Sequence, residues 1–136
     1  MPALCELERL CFSESWTEAM LEAERSSPDA ALLVAETEEG VCGYAAFHRA
    51  GDQAELYRIA VRPEDRRRGY AADLLQVGES AAEGWGCTGL FLEVRRSNRP
   101  AAALYERRGW HAIGIRNKYY VNPTEDAVLY AKELMP

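Results

Sequence analysis

The chain has 136 residues, a formal net charge of −6, 48% hydrophobic residues and 28% charged residues. That length suits one domain with a buried core, and the balance of apolar and charged residues excludes a disordered chain. The acidic balance argues against a general nucleic-acid binder, no apolar run reaches the ~20 residues of a membrane helix, and no signal-peptide pattern opens the chain, so a cytoplasmic protein with no membrane or direct nucleic-acid partner is expected.

In chain order, Leu4, Leu7, Leu10 and Cys11 recur at helical spacing and predict a helix over Pro2–Cys11. "FSESW" breaks it, and Thr17–Arg25, with Met20 and Leu21, reads as a second helix ended by "SSPD". Ala30–Glu36 and Val41–Arg49 are apolar runs joined by "EEG", a hairpin; "GDQ" turns the chain again into a strand over Ala54–Val61. A helix over Gly69–Ala82 places Ala71, Leu74, Leu75, Gly78, Ala81 and Ala82 on one face, and "LFLEV" (Leu90–Val94) follows as a buried strand. Asn98–Arg108 carries signals at both ends: Ser97 or Asn98 as N-cap, Pro100 in the first turn, Gly109 after the last. Trp110–Tyr119 and Ala127–Leu134 close the chain as strands. The expected architecture is a single α/β domain over residues 1–136 with a mixed sheet. The strand–helix–strand unit Ala54–Val94 makes its two strands parallel, and ligands in such sheets favour the carboxyl ends of the strands.

Two glycine motifs compete for a phosphate. "GWGCTG" (Gly84–Gly89) has the letters of a dinucleotide fingerprint, but its helix precedes it and its strand follows, the reverse of what a pyrophosphate site needs. "RRRGYA" (Arg66–Ala71) has the right order of strand, loop and helix. The first amides of a helix point outward without partners, glycine admits close approach, and arginines add charge, so this loop is an anion site or else a solvated arginine-rich surface. The four cysteines, Cys5, Cys11, Cys42 and Cys87, lack C-x-x-C spacing, and His48 and His111 are the only histidines. Reduced thiols and no metal site are expected.

"RRRGYA" fits the Q/R-x-x-G-x-G/A signature of the GNAT acetyltransferases, with Arg66, Gly69 and Ala71 in the fixed positions. With "CFSESW", "AELYRIAV", "LFLEVRRSNRPAAALYERRGW", "RNKYY" and "DAVLYAKEL" in order, nearly the whole chain resembles the RimI-type ribosomal-protein-alanine N-acetyltransferases. The resemblance implies the GNAT fold and acetyl-CoA as cosubstrate. Its pyrophosphate would lie on the loop of Arg66, Arg67, Arg68, Gly69, Tyr70, Ala71 and Ala72, its pantetheine arm along the backbone of Ile59, Ala60 and Val61, with Asn98 a further contact. It implies Glu93 as general base and Tyr105 as general acid.

Those roles meet the needs of the chemistry. An N-terminal amine, with a pKa of roughly 7.7–8.0, is mostly protonated at neutral pH and needs a carboxylate to take its proton. A phenol can return a proton to the leaving thiolate, and a backbone N–H of Ile59–Val61 can stabilise the developing oxyanion. Glu93 interrupts an apolar strand, where a carboxylate is costly unless used or paired, the alternative being an ion pair with Arg95 or Arg96. Tyr105 read by residue type alone is a core aromatic. Trp16, Tyr119 and Tyr120 line a peptide groove or pack the core. Tyr57 stands where relatives carry a smaller or polar residue and leaves substrate preference open.

Two departures from the family pattern carry expectations. Relatives begin with a strand that this chain lacks, leaving Ala30–Glu36 with an unpaired edge and favouring a less stable monomer or a weak dimer. Ser15 replaces a proline and would loosen the loop between the first two helices. The expected activity is direct acetyl transfer, without a covalent acetyl-enzyme, to an N-terminal alanine of a small-subunit ribosomal protein. A small-amine acetyltransferase (polyamine or antibiotic) and a non-catalytic acetyl-CoA-binding module are the alternatives.

Overall fold

A computed structural model describes residues 1–134. The elements are α1 (Pro2–Cys11), α2 (Glu18–Ser26), β1 (Ala30–Thr37), β2 (Gly40–Ala50), β3 (Gln53–Val61), α3 (Tyr70–Gly84), β4 (Gly89–Arg95), α4 (Arg99–Arg107), β5 (His111–Tyr120) and β6 (Glu125–Glu133). The expected elements are all present, most within one or two residues of their predicted limits. A short 3-10 turn over Pro63–Asp65 was not foreseen. Asn98, one of the two predicted N-caps of α4, accepts at its Oδ1 from the Ala101 N–H at 3.3 Å; α2, for which no cap was predicted, is capped by Thr17, whose Oγ1 accepts from the Met20 N–H at 3.2 Å. Gly109, at φ 90°, takes the left-handed turn after α4.

The six strands form one mixed sheet in the order β1-β2-β3-β4-β6-β5. Among the described residues only β3 and β4 run parallel, joined through α3 as the strand–helix–strand reading required. β1 pairs with β2 alone; among the described residues its outer edge has no strand partner. Beside that edge lie two open hollows, of about 520 Å³ towards α1 and α2 and about 310 Å³ towards α3.

Two apolar layers sandwich the sheet. Leu4, Leu7 and Leu21 of α1 and α2 bury against Tyr44, Ala46 and Ala60. On the other face Leu74, Leu75, Ala82 and Tyr105 of α3 and α4 pack on Phe47, Leu56, Leu90, Leu92 and Tyr130. Each fully buried leucine contributes about 1.5–3 kcal/mol relative to exposure. Two carboxylates penetrate these layers and are satisfied there. Glu79 accepts from Arg108 Nη2 (2.6 Å), Lys132 Nζ (3.0 Å) and Trp110 Nε1 (3.1 Å), tying α3 to the far strands. Glu8, with no exposed surface, accepts from the Trp16 N–H (2.7 Å) and the Tyr44 hydroxyl and faces Arg58 Nη2 at 3.4 Å.

Candidate active site

The site begins where β3 and β4 part. Their parallel ladder holds from Gln53/Gly89 to Leu56/Leu92 and stops there, although β3 continues to Val61 and β4 to Arg95. The cause lies on the other side of β3. The β2 register passes from Ala46/Arg58 to Phe47/Leu56, so Tyr57 is an extra residue that bends β3. Beyond it the β4-facing edge of β3 is open.

Alternation decides which backbone groups face that opening. The Arg62 N–H donates to the Cys42 carbonyl at 2.7 Å, which fixes Ala60 and Arg58 as the residues bonded to β2. Ile59 and Val61 therefore turn their N–H and C=O groups into the gap. Of the three backbone contacts expected here, Ala60 spends its groups on the sheet. The Val61 carbonyl is already engaged, accepting from Arg66 Nε at 3.1 Å and from the Cys11 thiol at 3.6 Å.

Past the end of β3 comes the arginine–glycine loop. Arg67 and Gly69 both have positive φ, 66° and 87°. Gly69 is the N-cap of α3, which, unlike α2 and α4, has no capping side chain, so the amides of Tyr70, Ala71 and Ala72 point out of the helix without partners. Arg67 and Arg68 are exposed, Arg68 lying 3.5 Å from Asp65, a carboxylate that also accepts from Arg62 Nε at 2.8 Å. Arg66, though exposed, folds back on the Val61 carbonyl and the Cys11 sulfur and so shapes the loop. Tyr70 borders the smaller hollow beside β1. Asn98 precedes α4 just beyond the end of β4, its side-chain oxygen spent on the cap.

Glu93 is the first β4 residue beyond the last ladder step. Its side chain is 11% exposed and lies 3.6 Å from Arg116 Nε of β5, while its Oε2 is buried with no hydrogen-bond partner. The ion pair weighed for Glu93 thus exists, but with Arg116, a largely exposed side chain, and not with Arg95 or Arg96. Those pair instead with Glu125 (3.4 Å) and Asp126 (3.6 Å). Tyr105 is buried in α4 against Trp110 and Tyr130, its ring centroid 5.8 and 5.9 Å from theirs. Burial pushes its phenol well above the usual range, with the nearby Tyr120 hydroxyl adding to the shift. Tyr120 is raised to about 12, by burial first and then by the charge of Glu93.

Tyr119 and Tyr120 both lie close enough to Glu93 to feel its charge. Tyr119 is half-exposed and stands edge-on to Tyr120 at 5.0 Å. Trp16 meets Tyr57 edge-on at 6.1 Å, and Tyr57 stacks on His48 at 5.1 Å, whose Nδ1 lies 3.1 Å from Glu24. Trp16 is carried by the loop between α1 and α2, and Ser15 does not loosen it: its hydroxyl donates to the Glu8 carbonyl at 3.0 Å, a bond proline could not make.

Three participants escaped the sequence reading. Glu55, opposite His48 on β3, has its carboxyl held above the ordinary range by burial and then by Glu93. Arg116 acts on both carboxylates. Arg58 lies 4.2 Å from the Phe12 ring and 5.0 Å from the Trp16 ring, and donates to the Glu14 carbonyl at 2.7 Å. A signal for Glu8 was present, because it falls on the Leu4–Leu7–Cys11 face of α1; Glu55 and Arg116 gave none without the strand order.

The sequence model described as the acetyltransferase (GNAT) family matches residues 1–110. The [ribosomal protein bS18]-alanine N-acetyltransferase of Salmonella typhimurium is 33% identical over 135 residues, covering 96% of this chain and 89% of its own. The crystal structure of the ribosomal-protein-S18-alanine N-acetyltransferase from Escherichia coli superposes with a TM-score of 0.89 at 29% identity, covering 99% of this chain and 88% of that one. Ard1 from Thermoplasma volcanium shares the fold, with a TM-score of 0.90 at 20% identity over 99% of this chain and 91% of that one.

Proposed function

The chain belongs to the acetyltransferase (GNAT) family and is an acetyl-CoA-dependent N-acetyltransferase, and from that premise we propose that it acetylates the N-terminal α-amine of a protein, an N-terminal alanine of a small-subunit ribosomal protein. The observation that carries this reading is Glu93: a mostly buried carboxylate with one oxygen unpartnered, at the step where β3 and β4 part.

The residues present fit acetyl-CoA. The open edge of β3 offers the Ile59 amide and carbonyl and the Val61 amide to an extended arm, as a sheet edge takes a peptide. The uncapped start of α3, with Gly69 in the left-handed region and Arg67 and Arg68 exposed beside it, suits a pyrophosphate. When bound, acetyl-CoA supplies an activated acetyl thioester. Glu93 takes the proton that the acceptor nitrogen must lose before it can attack, directly or through one water. The Ile59 N–H faces the gap and donates to the oxygen that gains charge as the new bond forms. Tyr105, kept protonated by burial, holds the proton destined for the leaving sulfur. The acceptor peptide lies between Trp16 and Tyr57 on one side and Tyr119 and Tyr120 on the other. The whole chain works as one domain.

Turnover of acetyl-CoA by a short basic peptide with a free N-terminal alanine tests this. The controls are the same peptide with a blocked terminus, a polyamine, and the Glu93→Gln enzyme. Acetylation of the free terminus alone, reduced about 10²-fold or more in Glu93→Gln, is expected; turnover on the polyamine alone would overturn the acceptor assignment.

A further inference from the structure

Arg95 ends β4 two residues beyond Glu93, on the same face of the strand, and both terminal nitrogens of its guanidinium are engaged. Nη2 donates to the Val121 carbonyl at 2.8 Å and lies 3.4 Å from Ser13 Oγ; Nη1 donates to the Pro123 carbonyl at 2.8 Å and lies 3.4 Å from Glu125 Oε1. The plane of the group rests 4.6 Å from the Tyr120 ring centroid. Ser13 belongs to the α1–α2 loop that carries Trp16, whereas Val121 and Pro123 belong to the β5–β6 turn that follows Tyr119 and Tyr120. A second tie joins the same two segments: Asn122 Nδ2 donates to Glu14 Oε1 at 3.0 Å. Arg58 of the neighbouring strand fixes the loop from below through the Glu14 carbonyl.

We propose that Arg95 is a positioning residue for the acceptor: it clasps the α1–α2 loop to the β5–β6 turn and thereby sets the spacing between Trp16 and the Tyr119–Tyr120 pair. The inference rests on the acetyl-transfer reading above, which places the acceptor between those aromatic residues. A surface ion pair with Glu125 alone would need only a charge. The contacts here need a planar fork that reaches two carbonyls and a hydroxyl on two separate segments, and lysine cannot reproduce that.

The test is Arg95→Lys beside the loop variant Ser13→Ala/Glu14→Ala, whose exposed residues remove the clasp from its other side without touching the core. With the free-alanine peptide as probe, both raise the peptide KM about tenfold, the worth of one charge-assisted hydrogen bond, while kcat and acetyl-CoA affinity stay within about twofold. Amide hydrogen exchange, measured without any acceptor, speeds up in both segments 12–16 and 121–124. Unchanged peptide KM in both variants would overturn the proposal, as would an equal loss of KM, kcat and acetyl-CoA affinity. Should the wild-type enzyme not use the peptide, the acceptor reading fails. The exchange result then still decides whether the clasp exists: unaltered exchange in either segment overturns it.

Discussion

Gly78 of α3 lies so close to the ring of Phe47 on β2 that not even a methyl group fits between them. The helix therefore rests directly on the strand that carries Ala46 and the step opposite the Tyr57 bulge. Alanine in the middle of an exposed helix gains about 1 kcal/mol over glycine; here the sign reverses. Gly78→Ala is expected to destabilise the protein by about 3 kcal/mol in urea unfolding. Combining it with Phe47→Leu recovers at least about 1 kcal/mol, because the two changes share one space. Simple additivity would show that the helix shifts to accommodate the methyl group.

Tyr105→Phe separates chemistry from packing. The ring sits among Trp110 and Tyr130 and stays there in the variant, and among the described residues the hydroxyl has no hydrogen-bond partner to lose. Thermal stability stays within about 3 °C while kcat falls about 10²-fold. A variant as active as the parent would remove Tyr105 from the proton path.

Glu8 gives the opposite contrast. Removing its carboxylate strands two donors, the Trp16 amide and the Tyr44 hydroxyl, and takes the ion partner from Arg58, which keeps its bond to the Glu14 carbonyl. Glu8→Ala costs about 3–5 kcal/mol in urea unfolding, and Glu8→Gln, which still accepts from Trp16, costs less.

Glu55 ties stability to pH. Its carboxyl titrates above the ordinary range because burial and then Glu93 disfavour the charged form. The folded chain thus holds this proton more tightly than the unfolded chain. The resulting stability is complete below the unfolded value, about 4.3, and is lost as pH rises through the higher folded value. Glu55→Gln removes that loss. The variant gains stability relative to the parent as pH rises above the unfolded value, read from thermal melts of both proteins over that range. A constant difference across that range would show that Glu55 titrates normally in the folded protein.

The parts of this molecule legible in its sequence are those that local chemistry controls. Pro2 and Cys11 bound the first helix as its spacing required, Asn98 caps α4, and Gly109 ends it. The arginine–glycine loop was found because its glycine precedes a helix. What stayed hidden depends on register between distant strands. Arg116 reaches Glu93 across β6, which lies between β4 and β5, in a register shifted by the irregularity between Ala112 and Gly114. The Tyr57 bulge, which opens β3, leaves no local mark, since an extra residue is extra only relative to a partner strand. Arg66 has the same lesson: the signature marks its position, and only the fold shows that its side chain bonds back to Val61.

Among the described residues, four ladder steps, Gln53/Gly89 to Leu56/Leu92, are the only strand pairing between the β1-β2-β3 half of the sheet and the β4-β6-β5 half. The pairing is a short seam backed by one core, in which α3 packs on strands of both halves. Ile59 and Val61, with the open backbone edge, stand on one side of the seam, and Glu93, Tyr119 and Tyr120 on the other. A ligand seated along Ile59 and Val61 would act as a stitch beyond its last step, slowing exchange of the amides nearest the seam and raising resistance to unfolding by mass action.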